Sequence, residues 1–213
     1  LCLHASVDLL NDYWDFKRGI DTTTQRTKMS GGSGVLPDGL LKPAQVYAAG
    51  IIFLIIGASI GVYFVATDGI IIGIILAFAV ISIYFYSTKL VNWGLAEVFV
   101  TIKGTMIVIG TYFVQTQQIT EPVVLCGIII GVLSSLVLFI TSFPDYDADK
   151  AKGRKTLVIS LGKQNSCSIL WVFPAIAYGI TITAVISEIF PISCLIILAT
   201  VPLIIKSGYK LKQ

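Results

Sequence analysis

The stretch VYAAGIIFLIIGASIGVYFVAT, residues 46–67, decides the class of fold because it contains no charged side chain. A helix of about 20 apolar residues crosses the hydrocarbon core of a bilayer. Similar, mostly apolar runs follow at residues 69–87, 95–115, 123–142, 168–186 and 190–205. We therefore predict an all-α chain with six membrane-spanning helices, the last of them short.

The composition agrees with a membrane location. Hydrophobic residues make up 55% of the 213 residues and charged residues only 13%, whereas a soluble domain is about 25% charged. The mean hydropathy is +0.88. We predict an integral membrane protein in contact with lipid. Residues 1–10 look like the end of a further span, so we also expect the chain to be a fragment of a longer protein.

The charged residues predict the orientation of the spans. All but one of the 15 Lys and Arg residues fall in alternate linkers, while the remaining linkers contain Asp68, Glu121 and Glu188. Lys103 is the exception and lies inside a span. Basic loops face the cytoplasm, so we place the basic linkers there. The net charge of +3 is explained by these loops, and we expect no nucleic-acid partner.

Acidic residues are concentrated in two segments on the predicted cytoplasmic side. The first, NDYWDFKRGID (residues 11–21), extends a helical stripe formed by Asp8, Asn11, Asp12 and Asp15. Gly19 is expected to end this helix before Asp21. The second, FPDYDADKAKGRKTL (residues 143–157), contains Asp145, Asp147 and Asp149. In a helix, Asp145 and Asp149 would share a face with Lys152.

Clustered carboxylates repel one another, and the cost rises near a membrane unless a cation neutralises them. Carboxylate oxygens suit Mg²⁺, which also takes phosphate oxygens as ligands. We therefore expect the two segments to be neighbours that hold Mg²⁺ and a diphosphate. A single histidine, His4, excludes a multi-histidine zinc site and makes a Ser-His-Asp triad unattractive.

The basic residues fit an anionic substrate. Each acidic segment is followed by bases, a glycine and a threonine, which is a weak internal repeat: Lys17, Arg18, Gly19 and Thr22 in the first, Lys152, Gly153, Arg154, Lys155 and Thr156 in the second. The glycine-rich stretch KMSGGSGVLPDGLLKP (residues 28–43) is either a flexible connection or a source of backbone N–H groups for an anion.

At this point the residues resemble a known family. NDYWDFKRGID and DYDADKAKGRKT (residues 145–156) resemble the two aspartate-rich motifs of the UbiA superfamily of intramembrane prenyltransferases. GLAEVFV (residues 94–100) and GTYFVQT (residues 110–116) are similar to the branch of 1,4-dihydroxy-2-naphthoate polyprenyltransferases, which make menaquinone precursors. The resemblance implies one transmembrane domain over residues 1–213. It also implies a nine-helix bundle around a central cavity, of which this chain would lack the N-terminal helix and C-terminal helices.

The resemblance further implies Mg²⁺-dependent transfer of a polyprenyl group from an allylic diphosphate to an aromatic acceptor. Asp12, Asp15, Asp145 and Asp149 would bind Mg²⁺ and serve catalysis, and Tyr86 would lie near the reacting carbon. The expected substrate-binding residues are Asn11, Arg26, Lys89, Asp147 and Lys155. Asp8 stands where relatives often have Asn, and it would either add a metal ligand or weaken diphosphate binding.

Several alternatives remain at this stage. Other members of the superfamily act on hydroxybenzoate, haem, chlorophyllide or a glycerol phosphate lipid. A cation transporter also places acids in membrane helices, although usually near the midplane, whereas these clusters lie at span ends beside Lys and Arg. A CDP-alcohol phosphotransferase would need a D-G-x-x-A-R run, which this sequence does not contain.

Overall fold

The computed structural model describes residues 1–21, 32–86 and 94–211, with the side chains of Tyr86 and residues 209–211 left out. Its helices are α1 Cys2–Lys17, α2 Pro43–Asp68, α3 Ile70–Tyr86, α4 Ala96–Thr116, α5 Glu121–Thr141, α6 Tyr146–Ala151, α7 Leu157–Leu161, α8 Lys163–Ile169, α9 Val172–Ile186 and α10 Val201–Leu211, with a 3₁₀ segment at Ile192–Thr200. These described ranges contain no β-strand. The prediction of an all-α fold is confirmed.

The apolar runs of the sequence fold as helices. Among the residues that the structure describes, four helical stretches are long and apolar enough to cross a membrane: Pro43–Asp68, Ala96–Thr116, Glu121–Thr141 and Lys163–Ile186, which joins α8 and α9. Two shorter apolar helices, Ile70–Phe85 and Ile192–Gly208, account for the remaining runs. The chain is therefore an integral membrane protein with a polytopic helical fold, as predicted.

The chain divides into two compact units. The first contains Leu1–Ala96 and Thr141–Ile159, and the second contains Glu97–Ile140 and Ser160–Gln213. The prediction of a single domain over residues 1–213 stays a prediction. Both acidic segments belong to the first unit, because the end of α1 and all of α6 lie within its bounds.

In the first unit, α1 packs on α2 through small residues. A Cβ atom added to Gly50 would lie 2.9 Å from Leu10 Cδ2, and one added to Gly57 would lie 2.7 Å from Leu3 Cδ2. The buried hydroxyl of Ser6 donates a hydrogen bond to the carbonyl of Gly50 at 2.8 Å. Close approach at glycines is a common way to pack membrane helices. This packing fixes α1, whose last turn carries the first acidic segment.

In the second unit, α4 and α5 approach closely at Gly104 and Gly131. A Cβ atom on Gly131 would lie 2.2 Å from the carbonyl oxygen of Thr101, so a larger residue cannot fit without moving a helix. Thr105 Oγ1 donates a hydrogen bond across the pair to the carbonyl of Gly127 at 3.1 Å. This unit is held by apolar and small-residue packing and carries neither acidic segment.

Candidate active site at the two acidic segments

The first acidic segment ends in a regular helix cap. After α1, the N–H of Gly19 donates to the carbonyl of Phe16 at 2.9 Å, and the N–H of Ile20 donates to that of Asp15 at 2.9 Å. Gly19 has a φ of 72°, in the left-handed region that glycine adopts without a Cβ clash. This arrangement is a Schellman motif. It places Asp15 in the last turn of the helix.

The second acidic segment ends in the same cap. After α6, the N–H of Gly153 donates to the carbonyl of Lys150 at 3.2 Å, and the N–H of Arg154 donates to that of Asp149 at 3.0 Å. Gly153 has a φ of 77°. Asp149 therefore holds the position in its cap that Asp15 holds in the other. The weak repeat of the sequence corresponds to a repeated local structure.

Arg154 joins the two segments. Its Nη1 lies 3.1 Å from Asp149 Oδ1, and its Nη2 contacts Asp15 Oδ1. The Arg154 side chain is 14% exposed, that of Asp149 4% and that of Asp15 19%. One carboxylate from each segment thus contacts the same, largely buried guanidinium group. The prediction that the two segments are neighbours is confirmed.

The glycine-rich stretch reaches the first acidic segment. The hydroxyl of Ser33 donates to Asp12 Oδ2, and the backbone N–H of Ser33 donates to Asp12 Oδ1 at 3.4 Å. A Cβ atom added to Gly32 would lie 3.2 Å from Asp12 Oδ1 and 3.1 Å from Asp21 Oδ2. The described part of the stretch therefore contacts carboxylates through an N–H group and a hydroxyl, and it brings Asp21 beside Asp12.

The carboxylates of the site are electrostatically coupled. Burial raises the pKa of Asp21 to about 7, and repulsion by Asp15 and Asp12 adds to the shift. Burial likewise raises the pKa of Asp149 to about 6 against the opposing attraction of Arg154. Burial also raises the pKa of Asp15, again against Arg154. The site is a desolvated acidic cluster that Arg154 neutralises only in part.

A second guanidinium lies close by. Burial lowers the pKa of Arg18, and repulsion by Arg154 lowers it further, while Asp15 opposes the shift. Arg18 also lowers the pKa of Asp15 by attraction. The two arginines therefore act on the same carboxylate from the two segments.

The structure locates the other predicted site residues unequally. Asp145 precedes α6 as its N-cap and interacts electrostatically with Asp149 and Asp21. Asn11 is partly buried in α1, whereas Asp147 and Lys155 are exposed. Arg26 and Lys89 lie outside the described residues. Of Tyr86 the structure describes the backbone, at the end of α3.

Two side chains differ from the expectation from helical periodicity. Asp8 is 66% exposed and lies 3.8 Å from His4, so its side chain faces away from the buried acidic cluster. Lys152 is exposed at the C-cap of α6, and the ion pair with Asp149 is made by Arg154, two residues later.

The sequence interpretation left Arg154, Asp21 and Ser33 out of the site. Gly153 was the available signal for Arg154, since a positive-φ cap turns the next residue back toward the helix. Asp21 follows Gly19 by two residues. It lies beside Gly32 of the glycine-rich stretch, a contact that the local sequence does not predict. Ser33 contacts Asp12 across 21 residues of sequence, a separation that no local pattern predicts.

The donor set suits a hard divalent cation. Within residues 1–21, 32–86 and 94–211, no three acidic, histidine or cysteine side chains converge on one point as the structure stands. Asp15 and Asp149 are occupied by Arg154. Nevertheless, several coupled carboxylates with burial-raised pKa values offer the oxygen ligands and the excess negative charge that Mg²⁺ requires. The residues fit this ion if Arg154 moves.

Comparison with known proteins identifies the family of the chain. The profile of the UbiA prenyltransferase family matches residues 1–212. The chain is 28% identical over 195 residues to a protein of Bacillus subtilis named 1,4-dihydroxy-2-naphthoate octaprenyltransferase, covering 88% of this chain and 61% of that protein. It is 29% identical over 175 residues to a protein of the same name in Haemophilus influenzae, covering 76% and 56%.

A third relative comes from Synechocystis and is named 2-carboxy-1,4-naphthoquinone phytyltransferase. It is 26% identical over 110 residues, covering 51% of this chain and 36% of that protein. The aligned part of the chain thus spans at most about three-fifths of the length of these curated relatives. No solved structure matches the chain.

Proposed function

The chain belongs to the UbiA prenyltransferase family, and from that premise we propose that it transfers a polyprenyl group from an allylic diphosphate to an aromatic acceptor. We propose 1,4-dihydroxy-2-naphthoate as the acceptor and menaquinone biosynthesis as the context. Relatives that carry naphthoate or naphthoquinone names support this choice over hydroxybenzoate, haem, chlorophyllide or a glycerol phosphate lipid.

One observation carries the proposal. Carboxylates from two segments about 130 residues apart in sequence meet at a single buried cation, Arg154. A stable membrane protein has no need of such a cluster, since apolar packing of similar volume is often at least as stable. A cluster of carboxylates and guanidinium groups at helix ends, however, suits a metal-bound diphosphate.

Mg²⁺ would be held by Asp12 and Asp15 from the first segment and by Asp145 and Asp149 from the second. Asp21 is a further candidate ligand because it lies beside Asp12 at Gly32. When bound, the ion would neutralise the charge that develops on the leaving diphosphate. The raised pKa values of Asp21 and Asp149 imply that a bound cation would favour the ionised carboxylates.

The protein groups have separate tasks in this reaction. Arg18 and Arg154 stand at the carboxylates and would balance the diphosphate charge, joined by Arg26, Lys89 and Lys155. Burial excludes water, which would otherwise capture the allylic carbocation. Aromatic faces stabilise such a cation, and Tyr84, Phe85 and Tyr86 are the proposed sources. The electron-rich acceptor ring then attacks, and its carboxylate leaves as CO₂.

The proposed site lies on the cytoplasmic side of the membrane. The basic linkers that contain Arg18, Lys152 and Lys155 support this orientation through the positive-inside rule. A soluble aromatic acid would then reach the site from the cytoplasm, and the polyprenyl chain of the donor would lie in lipid.

The test is an assay of the protein in membranes. We would supply radiolabelled geranylgeranyl diphosphate, Mg²⁺ and a panel of acceptors, and compare the protein with Asp149→Asn and with the control Glu121→Gln, which removes an exposed carboxylate from the first turn of α5. The expected result is prenylated dihydroxynaphthoate that disappears with EDTA and in Asp149→Asn. A prenylated product with another acceptor would reject dihydroxynaphthoate as the acceptor and keep the proposed transfer reaction.

A cation transporter is the alternative from another class. The absence of any Mg²⁺-dependent product, together with cation uptake into proteoliposomes that Asp149→Asn abolishes, would favour it. The two guanidinium groups at the carboxylates argue against transport, because they would repel a permeating cation.

A further inference from the structure

We propose that Arg154 holds the two acidic segments together in the metal-free protein and that a divalent cation must displace it from Asp15 and Asp149. Arg154 is then a positioning residue that prepares the metal site by occupying it. The inference rests on the proposed function in one respect, namely that Asp15 and Asp149 are metal ligands.

The geometry supports an exchange. Arg154 contacts the Oδ1 atom of both carboxylates, and these two carboxylates are proposed metal ligands. The backbone of Arg154 is tied to Asp149 by its N–H bond of 3.0 Å. The guanidinium is joined to this fixed backbone by a side chain with several rotatable bonds. It can therefore move away from the carboxylates while the helix cap stays intact.

The charges also support it. Asp12, Asp15, Asp21, Asp145 and Asp149 interact electrostatically with one another, and Arg154 attracts Asp15, Asp21 and Asp149. Without a counter-ion, the two segments would repel each other across a desolvated site. Arg154 supplies one positive charge where a divalent ion supplies two. The ion is therefore the better partner once it is available.

The helix cap alone does not explain why residue 154 is an arginine. The residue after the capping glycine usually makes an apolar contact with the last turn of the helix. The first segment follows that rule with Ile20, which is 3% exposed. The second places an arginine at the same position, where it contacts Asp149 of its own helix and Asp15 of the other segment. The cap alone would be satisfied by an apolar residue.

The two roles predict opposite effects on metal binding. If Arg154 competes with the ion, its removal frees two carboxylates and tightens metal binding, although the metal-free protein loses stability. If Arg154 only braces the site, its removal loosens the carboxylates and weakens metal binding together with stability. The sign of the change in metal affinity therefore separates them.

The experiment measures Mn²⁺ binding to the purified chain in detergent, without substrate, from the electron paramagnetic resonance signal of free Mn²⁺. The variants are Arg154→Gln, Arg154→Lys and the control Lys152→Gln, which removes a charge from the same segment at an exposed position. Thermal unfolding in EDTA and in Mn²⁺ is recorded for each. Asp149→Asn tests the metal site itself.

We expect Arg154→Gln to bind Mn²⁺ about tenfold more tightly, which corresponds to about 1.4 kcal/mol, and to unfold at a lower temperature in EDTA. Mn²⁺ should restore most of that loss. Arg154→Lys should give a smaller increase in affinity, and it replaces Arg154→Gln if the latter fails to fold. Lys152→Gln should change the affinity by less than about twofold.

Unchanged or weaker Mn²⁺ binding in both Arg154 variants would overturn the inference. If Asp149→Asn still weakens Mn²⁺ binding in that case, the proposed metal site stands and only the role of Arg154 fails. If Asp149→Asn binds Mn²⁺ like the unaltered protein, the metal site and the inference fail together. If the Arg154 variants bind Mn²⁺ more tightly but the unaltered protein transfers no prenyl group to any acceptor, the proposed reaction is rejected. The displacement of Arg154 by the cation would still stand.

Discussion

The two acidic segments share a cap and differ at the residue that follows it. The backbone carbonyls of Asp15 and Asp149 accept a hydrogen bond from the N–H of the residue after the capping glycine, and Gly19 and Gly153 have nearly equal φ angles of 72° and 77°. The next residue is the buried Ile20 in one segment and Arg154 in the other. The shared cap places a carboxylate in the last helical turn of each segment. The residue after the capping glycine determines which groups that segment contacts.

This difference makes the two segments unequal partners. Ile20 is buried in the first segment, so we expect α1 to keep its position whether or not a cation is present. Arg154 ties the second segment, which contains the short helix α6 of six residues, to Asp15. A helix of this length has little stability of its own. The second segment should therefore depend more strongly on charge than the first.

The largest effect should come from removing the matched carboxylates. Asp15→Asn and Asp149→Asn should each lower prenyl transfer roughly 100-fold or more, because each removes a charged metal ligand. The measurement is the initial rate with saturating Mg²⁺. Glu121→Gln, which removes an exposed carboxylate from the first turn of α5, is the control. If only one of the two variants loses activity, Asp15 and Asp149 do not have equivalent roles in the site.

The capping glycines should give the next largest effect. Gly153→Ala should destabilise the metal-free protein by about 1–2 kcal/mol, because alanine is strained in the left-handed region. No atom of the described residues lies within 4 Å of a Cβ atom added to Gly153, so the expected cost comes from the backbone conformation. Thermal unfolding in detergent is the measurement.

Two comparisons sharpen that result. Gly153→Asn should cost less than Gly153→Ala, because asparagine tolerates this conformation. Gly19→Ala should destabilise the protein by a similar amount but disturb Mn²⁺ binding less, since no ion pair depends on the residue after it in the same way. Equal stability of Gly153→Ala and the unaltered protein would mean that this cap does not form in solution.

The pH dependence of the metal-free protein should come from the same carboxylates. The ordinary aspartate pKa is 3.8, while Asp21 has a pKa of about 7 and Asp149 of about 6 when folded. Between these values the folded chain holds more protons than the unfolded chain. The free energy of unfolding in EDTA should therefore fall as pH rises from about 4 to 7.

The first segment should account for the upper part of this pH range. Asp21→Asn should remove most of the loss of stability between about pH 6 and 7, because no carboxylate remains there to ionise. Thermal unfolding temperatures at closely spaced pH values in EDTA provide the measurement. A loss of stability that persists unchanged in Asp21→Asn would show that another group titrates in this range.

The sequence allowed the membrane helices and most of the acidic cluster to be predicted. Length and hydropathy are local properties, so the apolar runs identified the spans. The spacing of Asp12 and Asp15 predicted an acidic face of α1, because three and four residues make about one helical turn. The neighbourhood of the two segments followed from charge alone, since isolated carboxylates near a membrane need a partner.

Periodicity failed where the helix stops. Lys152, at the C-cap of α6, is exposed, and the ion pair with Asp149 is made by Arg154, which follows the positive-φ Gly153. Asp8 obeys the helical spacing of the stripe, yet spacing does not reveal what packs against each turn. The contact of Ser33 with Asp12 depends on tertiary structure and has no local sequence signal.

The smallest effect should come from Asp8, the member of the sequence stripe that lies outside the buried cluster. Both Asp8 and His4 are exposed, with 66% and 74% of their side chains accessible, and exposed pairs contribute less than about 1 kcal/mol. Asp8→Asn should therefore leave thermal stability, Mn²⁺ affinity and prenyl transfer within about twofold of the unaltered protein. A larger change in Mn²⁺ affinity would mean that the acidic site extends one turn further along α1 than Asp12. In that case the stripe in the sequence would describe the site better than burial does, and the likeness between the two caps would cover only part of the metal-binding surface.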